Sequence, residues 1–345
     1  MPMTPRLLVP LVLAAALATA ASGPAAAQDK VGTVSAPFLL LGTDARGTAM
    51  GGAQAAAATG PAALRWNPAG AAASTRAGAA VFSTSEWLVG SRHSTVAATY
   101  GTGALGTFGL QATQLDYGDE EVTTIERPDG TGELYGASDL AVGLSYARPL
   151  TDRFAVGATV KLVQQRIWNE SSSGAALDLG VRYETGLRGI VIGMAMTNFG
   201  TDLMLSGRDL RRRIDIDPNQ EGNNDDLPAA LEVNEWALPL SFNVGLAADA
   251  YRTDDMSLVL SAEGQAPSDN SQSASFGAEY GFRDLLFLRG GYRQAFTAEA
   301  EDGGWAAGFG LRLGLSERLG LAVDYVVQEV EPFGTPQMFS VGVTF

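Results

Sequence analysis

Few side chains in this chain could do chemistry. The 345 residues contain one histidine, His93, and no cysteine. A hydrolytic Ser–His pair needs a carboxylate or carboxamide to orient the imidazole. Ser85, Ser91 and Ser94 lie near His93 in sequence, but successive residues of a strand face opposite ways, and no nucleophile-elbow pattern surrounds any serine. Zero Cys removes thiol catalysis, disulfides and Cys-ligated metals, and a single His cannot build a multi-His site. Neither an enzyme nor a metal or cofactor protein is expected. Asp215-Ile216-Asp217-Pro218-Asn219 lightly resembles a calcium loop, but Pro218 and the missing Gly-then-Glu spacing spoil the match. Arg211-Arg212-Arg213 precedes it and Glu221, Asp225 and Asp226 follow, so the plainer reading is a solvated loop with internal ion pairs. Its length, from Thr201 to Glu235, suits contact with a partner or a lid over a pore.

The remaining charges of interest are scattered, and their spacing is informative. Asp139, Lys161, Asp178, Arg182, Glu263, Glu279, Arg289, Arg293, Arg312 and Asp324 each occupy the polar phase of a segment whose alternate residues are apolar. Both signs occur, so they can pair across neighbouring strands. Their chemistry is either a path for a substrate or, more ordinarily, the salt-bridged interior that barrel lumens share.

The elements that must position these charges follow from period two. Leu140, Val142, Leu144 and Tyr146 oppose Asp139, Ala141, Gly143 and Ser145. Leu238, Leu240, Phe242, Val244 and Leu246 oppose Ser241, Asn243, Gly245 and Ala247. Phe339, Val341, Val343 and the C-terminal Phe345 oppose Met338, Ser340, Gly342 and Thr344. One greasy face and one small or polar face suit a wall between lipid and water, and each segment is near the ~9–11 residues a tilted strand needs to cross a bilayer. From Ala77 onward about fourteen strands are expected, closed as an antiparallel transmembrane β-barrel. Tight connections (Pro149 to Asp152, Glu184 to Gly189, Tyr251 to Asp255, Arg283-Asp284, Ser316 to Arg318) alternate with longer ones (Tyr117 to Gly136, Thr201 to Glu235, Ala266 to Ser271, Thr297 to Gly304, Glu329 to Pro336). Outer-membrane barrels show this asymmetry: short periplasmic turns and longer outer loops. Aromatics such as Tyr100, Tyr146, Tyr183, Tyr280, Tyr292 and Tyr325 fall near strand ends, as interfacial girdles require. The net charge of −15 argues against nucleic acid, which needs a basic surface.

The N-terminus differs. Arg6, the apolar run Leu7 to Ala20 and the small residues Ala25-Ala26-Ala27 read as a secretory signal cleaved before Gln28. Residues 28–76 are Ala-rich, lack alternation and are broken by Gly47, Gly51, Gly52 and Gly60, so short helices or turns are expected. Asn67-Pro68 forces a turn, because Pro68 fixes its own φ and pushes Asn67 out of the helical region.

Two motifs here carry a resemblance. Phe38-Leu39-Leu40-Leu41-Gly42-Thr43-Asp44-Ala45-Arg46-Gly47-Thr48-Ala49-Met50-Gly51-Gly52-Ala53, followed by Trp66-Asn67-Pro68-Ala69-Gly70, resembles the PorV/PorQ family of outer-membrane proteins, within the larger FadL-like barrel group. Family members often have an acidic pair between the motifs, where this chain reads Ala56-Ala57-Ala58-Thr59-Gly60. The resemblance implies a FadL-like barrel whose N-terminal segment lines or plugs the lumen. FadL-like relatives move hydrophobic molecules through the outer membrane, some by a lateral opening; PorV-like relatives serve type IX secretion by receiving or shuttling exported proteins.

The expected organisation is a signal peptide (1–27), a periplasmic or luminal segment with the Asn-Pro-Ala turn (28–76) and an outer-membrane barrel (77–345). The leading functional expectation is a PorV/PorQ-type transport or secretion component. The alternatives are a FadL-like channel for hydrophobic small molecules, with Phe38 to Leu41 and Met50 lining its pocket, or a structural scaffold. Expected partners are outer-membrane lipid, the barrel-assembly machinery reading Phe345 as its signal, and either an exported protein or secretion subunit or a hydrophobic small molecule.

Overall fold

A computed structural model describes residues 32–73, 78–187, 189–216, 219, 226–295, 304–316, 318–330 and 332–345. The expected signal peptide and part of the loop with the calcium-like spacing lie outside the described residues. The alternating segments become β1 (Gly78–Glu86), β2 (Arg92–Gly101), β3 (Thr107–Glu121), β4 (Leu134–Pro149), β5 (Phe154–Ile167), β6 (Glu170–Glu184) and β7 (Val191–Gly200). Three short strands follow, β8 (Ser206–Gly207), β9 (Arg211–Ile214) and β10 (Leu227–Ala230). The wall then resumes with β11 (Ser241–Arg252), β12 (Met256–Pro267), β13 (Ser273–Phe282), β14 (Leu286–Ala295), β15 (Gly304–Gly314), β16 (Gly320–Gln328) and β17 (Gln337–Thr344). Fourteen long antiparallel strands close on themselves, because β1 pairs with both β2 and β17, and β6 joins β5 to β7. No sheet edge is left among them, which is what a hydrocarbon environment demands of a spanning sheet.

Register fixes which row faces which side. Phe82, Leu144, Leu162 (67 % exposed), Phe242 and Phe339 point outward with no protein over them, while Ser83, Thr95, Ser145, Thr159 and Ser340 are buried on the inner face. Phe345 closes the seam. Its backbone exchanges two 2.9 Å hydrogen bonds with Gly78, the first residue of β1.

The tight turns gather at one end of the barrel and the longer connections at the other, with one departure. β5 and β6 are joined at the long-connection end by Trp168-Asn169 alone, Trp168 taking φ +50°. The wall is also uneven in height. β3 to β6 have 15, 16, 14 and 15 residues, against 8–12 in the other ten long strands. Strand therefore replaces much of the loop expected between Tyr117 and Gly136. In the opposite sense, Leu238 and Leu240 continue the alternation of β11 in sequence but precede the strand, and Leu238 is buried under the rim.

The N-terminal segment sits inside the barrel rather than below it. It begins at the long-connection end, where the Ser35 N–H donates to the Ala237 carbonyl (2.8 Å). It descends through a 3-10 turn (Pro37–Leu40) and α1 (Ala45–Ala49), crosses beneath β7 and β11–β14, and forms a second 3-10 turn (Gly60–Ala62), α2 (Ala63–Trp66) and a third 3-10 turn (Pro68–Ala73), the last against β4–β6 near the tight-turn end. Inward glycines make room. A Cβ on Gly157 would strike Pro68 and Ala69, one on Gly193 would strike Ala55 and Ala56, and one on Gly291 would strike Met50 and Gly51. No helix is long and apolar enough to cross a membrane among the described residues, which leaves crossing by strands untouched.

Candidate functional site: a rim cavity above a filled lumen

The upper lumen, on the side of the tall strands, is apolar. Phe38 and Leu39 pack with Leu115 of β3, Ala141 of β4, Val163 of β5, Ala176 of β6, and Leu203 and Leu238 of the β7–β11 connection. Pro37 opens the 3-10 turn that presents Phe38 to this cluster. Ala36, just before it, takes φ +53° and donates its N–H to Gln165 Oε1 (3.1 Å). The Phe38 side chain is therefore held at the head of the segment by a wall residue.

Above this cluster lies a cavity of about 350 Å3. The β7–β11 connection closes one side with Leu203, Leu205, Val233 and Trp236. It is pinned there by two backbone bonds between Leu203 and Trp236 (2.8 and 3.0 Å). On the wall side a bulge in β3 between Asp116 and Asp119, with Gly118 at φ +80°, accompanies Tyr117 at the cavity. The Tyr117 hydroxyl donates to Asp139 Oδ2 (2.9 Å) and Gln165 Nε2 donates to Asp139 Oδ1 (3.0 Å). Tyr117, Asp139 and Gln165 thus form a polar chain that ends on the backbone of Ala36. Phe38 and Leu39 also border a slot of about 20 Å3, with Thr43, Arg65 and Lys161, and a further cavity of about 230 Å3 runs past Leu40, Leu41 and Trp66.

Beside that slot the wall is irregular. Asp178 of β6 interrupts the ladder with β7, and Asn198 opposite takes φ +63°. Asp178 Oδ1 accepts the Asn198 N–H (2.7 Å) and pairs with Lys161 (2.8 Å). Lys161 also donates to Asn198 Oδ1, and Asn198 Nδ2 donates to the Pro239 carbonyl (3.0 Å). All three side chains are buried. The bulge is held by its own charges.

On the opposite side the lumen is polar and packed. Arg46 Nε and Nη2 clamp Glu279 of β13 (2.8 and 2.9 Å). Glu279 also accepts from Arg289 of β14 (2.6 Å), which reaches Asp324 of β16 (2.6 Å). Burial works against the Arg46 charge, but the Glu279 carboxylate outweighs it and holds the guanidinium above its ordinary value. Asp44 caps α1, its Oδ1 accepting the Gly47 N–H (2.7 Å) and its Oδ2 the Trp66 indole N–H (2.8 Å). Burial pushes the Asp44 carboxyl up, and these bonds pull the other way. Arg65 is pushed down by burial against the pull of Asp178 and Glu263. Glu263 of β12 accepts the Ala55 N–H (2.7 Å).

The remaining motif residues pin the segment to itself and to the wall. The Ala45 N–H donates to Ser340 Oγ (2.8 Å), and Met50 is fully buried. Gly42 lies where any Cβ would strike Thr48, and Gly51, at φ +66°, packs on the Phe276 and Tyr292 carbonyls. Asn67 Nδ2 donates to the Ala55 carbonyl (2.6 Å) and to Val181 of β6 (2.9 Å), while its Oδ1 accepts from the Ala69 N–H (3.1 Å). The Asn-Pro turn thus also bolts the segment to the wall. Pro68, Ala69 and Gly70 are buried, Gly70 against the Ala58 carbonyl. Arg182 pairs with Glu184 (2.5 Å) near the tight-turn end. Arg312 stacks over Phe287 (4.6 Å) and, with Asp44 and Asp324, lines a cavity of about 560 Å3 of mixed polar and apolar character at that end.

Sequence reasoning missed Tyr117, Gln165 and Asn198. Tyr117 sat in a segment read as loop, and the others carry no charge to flag them. The spacing argument about His93 also needs correcting. Ser85 is its direct cross-strand partner, and both are buried on the inner face. Ser85 donates to the Glu86 carbonyl instead (3.2 Å), and His93 Nε2 has no hydrogen-bond partner. No group of three or more potential ligands that could hold a metal ion occurs among the described residues.

No family model and no curated protein matches the chain. Among solved structures it is similar to the Ralstonia pickettii toluene transporter TbuX, at 15 % identity and TM-score 0.53 over 89 % of this chain and 98 % of that one. It is similar to the CymD monoaromatic hydrocarbon channel at 12 % identity and TM-score 0.58, over 89 % and 98 %. A Pseudomonas aeruginosa FadL homologue aligns at 13 % identity and TM-score 0.54, over 88 % and 98 %. These likenesses establish the fold: a fourteen-strand FadL-like barrel with a short helical N-terminal segment. At these identities the likeness shows the fold alone, and the PorV/PorQ assignment is not part of what it shows.

Proposed function

We propose that this chain is an outer-membrane channel for the uptake of hydrophobic small molecules. The observation that carries the reading is the mostly apolar rim cavity, closed by Leu203, Leu205, Val233 and Trp236, with Leu203 packed in turn on the cluster that holds Phe38 and Leu39. Such a cavity strips water from an apolar guest, at about 25 cal/mol per Å2 of apolar surface removed from water. At about 350 Å3 it falls at the small end of ligand pockets, roughly 300–1,000 Å3. The similar barrels include a toluene transporter and a monoaromatic hydrocarbon channel, which is in keeping with a small apolar cargo.

In this reading a molecule leaves the outer surface for the cavity, and Phe38 and Leu39 must then shift before it can go further. The hydrogen bonds beside them are Ala36 to Gln165 of the wall and Ser35 to Ala237 of the β7–β11 connection, both neutral, whereas the segment below is held by Arg46, Ala55 and Asn67. The head of the segment is therefore the part that moves. Passage of an exported protein would instead require the whole segment to leave.

The test is uptake of a radiolabelled monoaromatic hydrocarbon by cells with and without the chain, at concentrations where diffusion across the outer membrane limits entry. Faster uptake with the chain supports the reading. Identical rates with correctly inserted protein would end it.

A further inference from the structure

The polar chain at the cavity bears on which hydrophobic molecules enter. We infer that the rim cavity takes neutral apolar molecules, favours those carrying a hydroxyl or similar hydrogen-bond donor, and rejects those carrying a carboxylate. The inference rests on the channel reading and names its substrate class.

Asp139 is the ionisable side chain that points inward at this cavity. Both its oxygens accept hydrogen bonds, from Tyr117 and Gln165. A carboxylate offers about four lone-pair directions, so acceptor capacity remains for a guest. The further donors at the cavity, the Ser35 and Ser172 hydroxyls, the Asn234 amide and the Trp236 indole, carry no charge. The Ala36 N–H is already given to Gln165 Oε1, and one Gln165 N–H is given to Asp139. A hydroxyl on the guest meets an acceptor, whereas a carboxylate meets the like charge of Asp139 and only neutral donors on the inward face to offset it.

The approach carries the same bias. Residues 116–133, at the tips of β3 and β4 beside Tyr117, carry seven carboxylates (Asp116, Asp119, Glu120, Glu121, Glu126, Asp129, Glu133) against one cation, Arg127. Arg166 also borders the cavity, but it sits on the outward phase of β5, exposed, with its Nε donating to the Trp168 carbonyl (3.2 Å). The arginines of β9 belong to a separate hairpin and are not among the residues that line the cavity.

Three probes with one carbon skeleton separate the possibilities: ethylbenzene, 2-phenylethanol and phenylacetate. Equilibrium dialysis of each labelled compound against the full chain in detergent, with a detergent-only control, measures binding at neutral pH. The expected order is 2-phenylethanol, then ethylbenzene, then phenylacetate, with at least tenfold between first and last. Asp139→Asn should narrow that gap by bringing phenylacetate up relative to ethylbenzene measured on the same variant. Phenylacetate binding as well as 2-phenylethanol would overturn the inference while leaving the channel reading standing. Binding of none of the three would overturn both. The comparison of ligands on the unaltered protein needs no variant, so it decides the matter even if Asp139→Asn does not fold.

Discussion

The two sides of the lumen are built on opposite principles. Under the tall strands β3–β6 the N-terminal segment meets the wall through Phe38 and Leu39, with a cavity nearby and the head held by neutral hydrogen bonds, Ser35 to Ala237 and Ala36 to Gln165. Against β13–β16 it meets the wall through Arg46, in a run of buried charges that leads through Glu279 and Arg289 to Asp324. Apolar contact is non-directional and tolerates sliding. A bidentate guanidinium–carboxylate pair does not, because its hydrogen bonds are directional and breaking one side leaves buried charge. One wall therefore lets the segment give way, and the other anchors it.

The largest effect should come from the anchor. Glu279→Ala leaves Arg46 and Arg289 facing each other without their shared carboxylate, which costs about 3–5 kcal/mol. Urea unfolding of the purified protein in detergent measures it. A loss below about 1 kcal/mol, the size of an exposed pair, would mean that the polar wall does not hold the segment.

Phe38→Ala should cost somewhat less in stability, about 3 kcal/mol at the low end for a buried Phe, but should act on permeation. Hydrocarbon uptake, or conductance in a planar bilayer, should rise in this variant and not in Glu279→Ala, which retains Phe38 in its cluster. Equal permeation by Phe38→Ala and the parent would show that the apolar contact is not the barrier.

Gly193→Val tests the middle of the segment. Its side chain would drive into the Ala55–Ala56 backbone, and overpacking of this kind costs about 1–3 kcal/mol. Limited proteolysis should then cut within the N-terminal segment while the strands stay resistant. The smallest effect is expected at Asp44→Ala, which loses the cap of α1, about 1 kcal/mol, together with the Trp66 contact. A lower midpoint with an unchanged slope in urea would fit that loss.

The wall was largely legible before any coordinates. A spanning strand must place alternate residues in lipid and lumen, so the rows Leu140–Tyr146 or Phe339–Phe345 announce themselves at period two. The inward phase of Asp139, Lys161, Asp178, Glu279, Arg289 and Asp324 followed from the same arithmetic. The β5–β6 turn and the heights of β3 and β4 did not, because a two-residue turn and a protruding hairpin lack the lipid-facing pattern. The partners inside the lumen were also hidden. Tyr117 and Asp139 are 22 residues apart, and Arg46 and Glu279 are 233 apart.

The sequence alone determined a closed sheet with a greasy exterior and a charged interior, since that depends on the order of side chains along each strand and on backbone geometry shared by all chains. Only the tertiary structure decided that the N-terminal segment enters from the long-connection end, that Arg46 meets Glu279, and that a cavity opens above Phe38 beside Asp139. Those outcomes depend on which strands curvature and closure bring face to face across the lumen, and no local pattern of residues carries that distance.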